Sequence, residues 1–437
     1  MTKRKLSKQT TQKKIKVLAY CDSPTCATGF GTVSRNIFEA LYRTGRYDID
    51  ILGINYWGDP HNFPYRIWPV GVNNEKDPYG RKKVAASMIP HMEYDILFLL
   101  QDSFILDFMP TVIPYLKNQG KKFKSICYYP IDGKPKEQWI KNVDTADYLV
   151  AYSDFGARES KSIYTNCKEP IVIPHGANLS DYKPLPKDQT IQFRQMYFGR
   201  HADKFIVTNL NRNQHRKDIP RTIAAFKKFR ETVPNSLLYL HMSAKDQGWN
   251  LLEVLKSYGL DNKEDVLFPE NFGPNQGYPR EIVNLIYNAS DLVVSTTLGE
   301  GWGLSWVEAM AAKTPVLMPN NTVMADYITQ EFGYLCDSGS NPSLFTVLPH
   351  DNEVIRPLVD VDDMANKMVH IYNNYDEALL KAAAAYNWVN KELNWQGNVG
   401  KQWVDLFDKA YNDLTTEEIP DSLTLRDIDK MIEAESI

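Results

Sequence analysis

The sequence lacks the features that would send a protein across or into a membrane. No apolar run approaches the roughly 18 residues of a membrane-spanning helix. The basic first sixteen residues, MTKRKLSKQTTQKKIK, are not followed by the apolar stretch of a signal peptide. The 5 cysteines are odd in number and form no C-x-x-C pair, which argues against a disulfide framework and against a zinc site. We therefore expect a cytoplasmic protein with free thiols.

A strong overall charge is also missing, because the formal net charge of the 437 residues is only -4. This balance argues against a dedicated nucleic-acid binder. Charge of one sign is nevertheless concentrated at each end of the sequence. The last residues, TTEEIPDSLTLRDIDKMIEAESI, are acidic, and a group of basic residues precedes the first strand. That group could draw the protein to a polyanion, either an anionic lipid surface at the membrane periphery or modified DNA, or it could be a solubilising tail. Its members are Lys3, Arg4, Lys5, Lys8, Lys13, Lys14 and Lys16.

Short β-rich runs alternate with helical patterns along the chain, and the series starts again near its middle. At 437 residues the chain exceeds the usual size of one hydrophobic core. We predict an α/β protein of two Rossmann-like domains facing a cleft, at 1–185 and 190–396, with a linker near Asp181 to Gln192. A final helix, NVGKQWVDLFDKAYNDL within 397–437, is expected to cross back to the first domain. The predicted strands are IKVLAY, IDILGI, YDILFLL, FKSICYY, DYLVAYS and PIVIP, and then KFIVTNL, SLLYLHM, DVLFPE, DLVVSTT and TPVLMP.

The stretch STTLGEGWGLSWVEAMAAKTPVLMP indicates a strand, a glycine-rich turn and a helix. Such a turn leaves free backbone N–H groups at the positive end of the helix, where phosphates bind. Glu308 borders the apolar face of that helix and must find hydrogen-bond donors. Two interpretations stay open: Ser305 and Glu308 fit a capping box, S-x-x-E, or Glu308 contacts a ligand.

Glu300 and Glu308 are separated by seven residues, and this spacing resembles the E-x7-E motif of glycosyltransferase family 4 and related retaining enzymes of the GT-B fold. The likeness covers LIYNASDLVVSTTLGEGWGLSWVEAMAAKTPVLMPN and, more weakly, PIVIPHGANLSDYKP, where His175 replaces a common Asn. It implies that Glu300 contacts hydroxyls of a donor sugar and Glu308 the nucleotide ribose. The donor-binding set expected here is Gly301, Trp302, Gly303, Leu304, Ser305 and Glu308, with the backbone of Gly303 and Leu304 at the diphosphate.

Positive charge for a leaving diphosphate is expected in NLNRNQHRKDI. Arg212 and Lys217 match the R-x-x-x-x-K pair of the resembled family, and the adjacent Arg216 leaves a different assignment open. Arginine can fork to two phosphate oxygens, while lysine acts as a point charge. These cations make a divalent ion unnecessary, so we expect no metal and no cofactor.

Gly29 and Gly31, in CDSPTCATGFGTVSRNIFEA, resemble the family's glycine loop in the first domain, which faces the donor phosphates. A dinucleotide-binding fingerprint is the competing interpretation. Ser34 stands where its third glycine would be, and no Walker A motif is present, so an NAD enzyme or a P-loop NTPase is not favoured.

Asp132 follows the strand FKSICYY, where many relatives carry a histidine near the sugar. It could orient an acceptor hydroxyl or stabilise positive charge on the sugar, or it could begin a turn with Gly133. The D-x-D triplets at 48–50, 360–362 and 427–429 lie in strand-like, helix-capping or tail-like settings and predict no metal site.

The resemblance thus implies a retaining, metal-independent glycosyltransferase, either a hexosyl- or a pentosyltransferase. It would move a sugar from a nucleoside diphosphate sugar to an acceptor hydroxyl of a glycan, a lipid or a modified nucleic acid. The catalytic candidates are Arg212, Lys217, Glu300 and Asp132. A catalytically silent sugar-nucleotide or glycan-binding protein on the same scaffold is the alternative.

Overall fold

The structure, a computed structural model, describes residues 13–71, 76–273 and 277–416. Within them lie two α/β domains, each built on a parallel sheet. The first sheet has seven strands in the order β3-β2-β1-β4-β5-β6-β7. These are β1 Ile15–Asp22, β2 Tyr47–Ile54, β3 Arg66–Pro69, β4 Ile96–Leu100, β5 Lys124–Tyr129, β6 Tyr148–Ala151 and β7 Ile171–Val172.

Helices cover both faces of this sheet, which explains why its central strands are apolar along their whole length. The first helix shows how the sequence fixes an element: Thr28 caps it by accepting a hydrogen bond from the Gly31 backbone N–H. Val33, Ile37 and Leu41 then bury one face. The helices are α1 Gly29–Arg43, α2 Arg81–Lys83 continuing as a π-helix Val84–Met88, α3 Met109–Asn118, α4 Glu137–Val143 and α5 Asp154–Ile163.

The second domain repeats the plan on a sheet of six strands within the described residues, in the order β10-β9-β8-β11-β12-β13. Its strands are β8 Phe205–Asn209, β9 Ser236–Leu240, β10 Val266–Leu267, β11 Leu292–Val294, β12 Val316–Pro319 and β13 Tyr334–Cys336; an antiparallel pair, β14 Phe345–Val347 and β15 Ile355–Pro357, stands apart. Its helices are α6 Lys187–Phe198, α7 Ile219–Thr232, α8 Leu251–Tyr258, α9 Arg280–Ala289, α10 Leu304–Ala311, α11 Thr322–Tyr327, α12 Val361–Asn373 and α13 Tyr375–Glu392. Two parallel-sheet domains confirm the predicted fold class.

Two chain segments connect the domains and lie side by side. The Ala177 N–H donates to the Leu393 carbonyl at 2.7 Å, and the Trp395 N–H donates to the Ala177 carbonyl at 3.2 Å. The first connection ends where α6 begins, at Lys187, so the last residues of the predicted linker are helical.

The last described helix, α14 Asn398–Thr416, packs on the first domain. Trp403 is fully buried there, with its ring centroid 4.6 Å from that of Tyr128. The Tyr47 hydroxyl donates to Asp408 at 2.5 Å. Residues 417–437 lie outside the described residues. None of the described helices is long and apolar enough to span a membrane.

Candidate functional site

The carboxyl ends of the strands in the two sheets face each other across a cleft, and the glycine-rich turn after β11 lies on the second-domain side. Gly303 ends this turn with φ +86°, a conformation that glycine adopts without strain, and α10 begins at Leu304. No side chain caps the helix. The first-turn backbone N–H groups of α10 are therefore open to an anion in the cleft.

Glu300 lies in the middle of this turn and is clamped between two cations. The Lys217 ammonium pairs with its Oε1, and Arg216 Nη1 lies 3.3 Å from its Oε2. The side chain is only 9% exposed. Burial alone would raise its pKa, but the charges of Lys217 and Arg216 lower the pKa of Glu300 to about 2. Glu300 is thus a fixed carboxylate at any physiological pH.

The two cations are held by a single 3-10 turn, His215–Lys217, that follows β8. The Leu298 backbone N–H donates to the Arg216 carbonyl at 2.8 Å, which ties this turn to the glycine-rich one. Arg212 points elsewhere: its Nε lies 2.7 Å from Asp246, and its side chain is 40% exposed. In this structure Arg216, rather than Arg212, joins Lys217 at Glu300.

Asp132 reaches the same cluster from the first domain. Arg216 Nε lies 3.3 Å from its Oδ2, and Arg356 Nη1 lies 3.0 Å from its Oδ1. Burial opposes ionisation, yet these two guanidinium groups hold the pKa of Asp132 below its usual value. The domains approach closely here, since a Cβ added to Gly301 would lie 2.7 Å from Pro130 Cβ. The second glycine of the turn is thus required for interdomain contact.

Glu308, on α10, faces tyrosines rather than the helix N-terminus. The Tyr287 hydroxyl donates to its Oε2 at 2.9 Å, and the Tyr182 hydroxyl forms a second bond. Burial raises the pKa of Glu308 to about 7, although both hydrogen bonds oppose the shift. Ser305 lies inside the helix and is not its N-cap. The capping-box interpretation is therefore wrong.

The glycine loop of the first domain lies opposite α10. Gly29 opens α1, and a Cβ there would lie 3.9 Å from Leu304 Cδ1. A Cβ on Gly31 would lie 2.8 Å from the Cys26 carbonyl oxygen and 2.9 Å from that of Ser23, so only glycine fits. The start of α1 therefore lies close to the start of α10, as a ligand contacting both loops would require.

Further acidic residues at the edge of the first sheet were not predicted from the sequence. Asp22, at the end of β1, accepts hydrogen bonds from Thr28 at 2.7 Å and from Gln101 at 3.3 Å. Asp102 follows β4, and burial, together with the charge of Asp132, raises the pKa of Asp102 to about 7. Each is a polar residue at or just after the end of a strand. Such a position is too common in parallel sheets to predict a functional residue by itself.

Aromatic side chains pack against one another beneath the glycine-rich turn. Trp302 is buried, with its ring centroid 5.8 Å from that of His175 and 4.9 Å from that of Tyr327. His175 Nδ1 lies 2.7 Å from the Tyr128 hydroxyl, and burial lowers the pKa of this histidine to about 3. Trp302 therefore contributes packing across the domain interface, and His175 is neutral.

The D-x-D triplets serve structural roles where they are described. Asp48 and Asp50 pair with Arg66 on the neighbouring strand. Asp360 caps α12 by accepting from the N–H groups of Asp362 and Asp363, as predicted. The third triplet, at 427–429, lies outside the described residues. Across the described residues no group of three or more His, Cys, Asp or Glu side chains has the arrangement of a metal site.

Comparison with known proteins shows which sequences and folds the chain resembles. Residues 195–346 match the family model described as glycosyl transferases group 1. Over this segment the chain is thus similar to the group 1 glycosyltransferases. Its fold is GT-B: sucrose-phosphate synthase from Thermosynechococcus elongatus has a TM-score of 0.72 at 18% identity, over 92% of this chain and 100% of that one. HepE from Anabaena, solved in complex with UDP and glucose, has a TM-score of 0.66 at 17% identity, over 90% and 100% of the two chains.

Among curated proteins, alpha-monoglucosyldiacylglycerol synthase from Acholeplasma laidlawii is 24% identical over 191 residues, which are 44% of this chain. Alpha-1,3/1,6-mannosyltransferase alg2 from Schizosaccharomyces pombe is 21% identical over 280 residues, or 56% of this chain. The chain spans 43% and 54% of the length of these two relatives.

The segment that carries the family match contains part of the second-domain side of the candidate site. Arg212, Lys217, Glu300 and Glu308 lie inside residues 195–346. Asp132 and Arg356 lie outside that segment, and the structure alone brings them to the cluster. Sequence patterns found the first group through spacing. They missed Arg356, because no local sequence motif marks a single arginine that is buried in the fold and pairs with a carboxylate far away in the sequence.

Proposed function

We propose that this protein is a retaining glycosyltransferase that moves a sugar from a nucleoside diphosphate sugar to an acceptor hydroxyl. One observation carries the proposal. Glu300 is held ionised by Lys217 and Arg216 beside the uncapped start of α10, and Asp132 faces the same cluster from the other domain. This arrangement provides a binding place for a diphosphate, a sugar and a second substrate in one cleft.

In this proposal, each side chain or backbone group on the donor side of the site has one role. The start of α10, from Gly303 to Ser305, receives the diphosphate, with Lys217 and either Arg212 or Arg216 balancing its charge. Glu300 accepts hydrogen bonds from sugar hydroxyls. Glu308, close to the surface of the cleft, accepts from the ribose. HepE has been solved with UDP-glucose, which makes UDP-linked sugars the first donors to test.

Breaking the bond between sugar and phosphate leaves negative charge on the diphosphate and positive charge on the sugar. Fixed cations near the phosphate and the Asp132 carboxylate near the sugar would stabilise both charges without further reorganisation. In the front-face transfer that we propose, the leaving diphosphate takes the acceptor proton, and retention of configuration results. The protein supplies positioning and charge, and the fixed cations make the reaction independent of a divalent ion.

The acceptor is expected on the first domain, beyond Asp132 and the glycine loop. The name of one curated relative contains a diacylglycerol, so a lipid belongs in the acceptor panel with glycans and modified DNA. The basic N-terminal segment stays a candidate for polyanion contact. Lys13 and Lys14 directly precede β1, at the edge of the sheet opposite the cleft, and residues 1–12 lie outside the described ones. Contact through this segment would therefore bind an extended acceptor at a distance from the reaction centre.

Deleting residues 1–13 tests the polyanion proposal. Acceptor binding should weaken while donor binding stays unchanged. For duplex DNA, the log-log salt dependence should become shallower by roughly 0.9 for each lost phosphate contact. For anionic vesicles, cosedimentation should fall by about 1 kcal/mol for each basic residue removed from the surface. Binding that is equal before and after truncation would reduce the segment to a solubilising tail.

Turnover with sugar nucleotides tests the function itself. Incubation with UDP-, GDP- and ADP-sugars should release the nucleoside diphosphate slowly by hydrolysis, and faster once the acceptor is present. Lys217→Ala should lower this rate by about 10² to 10³, the usual loss for one electrostatic stabiliser. Arg212→Ala and Arg216→Ala, compared side by side, will show which arginine reaches the phosphate. Lys228→Ala, an exposed lysine on α7, is the matched control.

Addition of EDTA should leave the wild-type rate intact, and restoration of a lost rate by magnesium or manganese would refute metal independence. Equal rates in Lys217→Ala and Lys228→Ala would remove Lys217 from the site. Binding of a nucleotide with no turnover of any donor would favour the silent binding protein instead.

A further inference from the structure

Arg356 is a buried arginine that the proposed mechanism has not used. It lies on β15, ten residues beyond the segment that matches the family, and it is 3% exposed. Its Nη1 donates to the Asp132 carboxylate at 3.0 Å and also to the Asp132 backbone carbonyl. Its Nε and Nη2 donate to Asp351 at 2.7 and 3.0 Å. The guanidinium thus binds one residue of each domain.

Two glycines, one from each domain, leave the space that this arrangement needs. A Cβ on Gly133 would lie 2.8 Å from Arg356 Nη1, and a Cβ on Gly299 would lie 2.0 Å from the Asp132 carbonyl oxygen. Neither position accepts a side chain without displacing Arg356 or Asp132. The close approach of Arg356 and Asp132 therefore depends on these two glycines as well as on the ion pair.

The pair also determines where the Asp132 carboxylate points. Oδ1 accepts from Arg356, and Oδ2 lies 3.3 Å from Arg216 Nε, so each oxygen has its own guanidinium. Arg216 in turn lies 3.3 Å from Glu300. A continuous chain of charges therefore joins Arg356 to the donor-sugar carboxylate. Asp351 balances Arg356, which allows its charge to be buried.

We propose that Arg356 is a positioning residue that holds Asp132 in its working orientation when the two domains are closed. The inference rests on the proposed function, because Asp132 acts there on the sugar or the acceptor hydroxyl. Arg356 itself contacts neither substrate. It acts through Asp132, and the β14–β15 pair is the element that brings it to the cleft.

Kinetics of two Arg356 variants and one steric variant test this role. Arg356→Gln should lower kcat for transfer by roughly 10- to 100-fold, the range expected when a reacting group is displaced by about 1 Å. The KM for the donor should change less than threefold, since Arg356 does not touch the nucleotide. Arg356→Lys keeps the charge and should recover part of the rate. Gly133→Ala should reproduce the loss without changing any charge.

Arg158→Gln is the matched control, because Arg158 also joins the domains, through Asp326 at 2.9 Å, but its partner is not one of the proposed catalytic residues. Equal losses of kcat in the two Gln variants would show that Arg356 only helps the domains to close. That outcome would overturn the proposal. A normal kcat in Gly133→Ala together with a normal kcat in Arg356→Gln would overturn it as well.

A measurement that needs no turnover separates this inference from the proposed function. The carboxyl ¹³C resonance of Asp132, assigned by its loss in Asp132→Asn, should titrate below the usual aspartate pKa in the wild type. Arg356→Gln should raise that midpoint, and Arg158→Gln should not. An unmoved midpoint refutes the contact. If no sugar nucleotide is turned over, the proposed function fails, while the titration still decides whether Arg356 holds Asp132.

Discussion

At the scale of single residues, Glu308 is a carboxyl whose hydrogen-bond partners are tyrosine hydroxyls and not cations. Two tyrosine hydroxyls donate to it, and burial raises the pKa of this carboxyl to about 7. The ionisation of Glu308 is therefore displaced toward neutral pH. Glu300, eight positions earlier, stays ionised because Lys217 and Arg216 surround it. The two glutamates of one motif thus have different charge behaviour.

Binding of a nucleoside should report the ionisation of Glu308. Ribose hydroxyls donate more strongly to a carboxylate than to a carboxylic acid, so affinity should fall by up to about tenfold as pH drops from 8 to 6. The nucleoside is used because a terminal phosphate titrates in the same range. Calorimetry on Glu308→Gln should give weak, pH-independent binding, whereas Ser305→Ala should keep the wild-type profile. A flat wild-type profile would remove Glu308 from the ribose.

Sequence patterns predicted this site in part, and the limits have a physical cause. The spacing of Glu300 and Glu308 and the basic segment around Lys217 are local, so the sequence displays them. The partners of Glu308, Tyr182 and Tyr287, belong to the linker and to α9, and only the tertiary fold brings them to α10. Without them, capping and ligand contact could not be separated.

At the scale of elements, the long central strands were predictable, whereas β3, β13 and the β14–β15 pair were not. Strands covered by helices on both sides show continuous apolar runs, as in β1 and β4. The edge strand β3 alternates between exposed and half-buried residues over only four positions. The strands of the β14–β15 pair are shorter still, with 3 residues each, and carry exposed apolar side chains. These strands form because they pair with a neighbouring strand, and a local sequence pattern does not show that pairing.

The glycine-rich turn before α10 gives a prediction at this scale. Gly301→Ala would place a methyl group 2.7 Å from Pro130 Cβ, so the domains must separate locally. We expect kcat to fall by roughly 10²-fold, because small displacements in a closed site are costly. Gly273→Ala is the control, since a Cβ there meets no atom within 4 Å. Equal steady-state rates for the two variants would contradict a tight closure at Gly301.

At the scale of the whole molecule, the structure shows a closed arrangement of the two domains. Contacts away from the site reinforce it: Arg158 pairs with Asp326 at 2.9 Å, and Lys136 pairs with Glu353 at 2.7 Å. Both pairs are exposed, and each contributes little by itself. We expect the substrates of the proposed reaction to enter from a more open state, which such weak pairs permit.

The returning helix α14 should be essential to the first domain. Trp403 is fully buried and contacts Phe98 and Tyr128 through edge-to-face rings. Trp403→Ala should lower the free energy of unfolding by about 3–5 kcal/mol. Trp57→Ala, at a tryptophan that is 63% exposed, should change it little. Urea unfolding monitored by circular dichroism measures both. Similar midpoints for the two variants would show that α14 is dispensable.

The same helix has a consequence for the order in which the protein forms on the ribosome. Strands β1 to β7 emerge first, but Phe98 and Tyr128 lack part of their cover until Trp403 and Phe407 have left the exit tunnel. The second domain, although encoded later, has its sheet and α12 complete before that point. During translation the first domain therefore exposes the apolar surface on which α14 later packs. Slow elongation through the codons for 374–416 would prolong that stage and the need for chaperones.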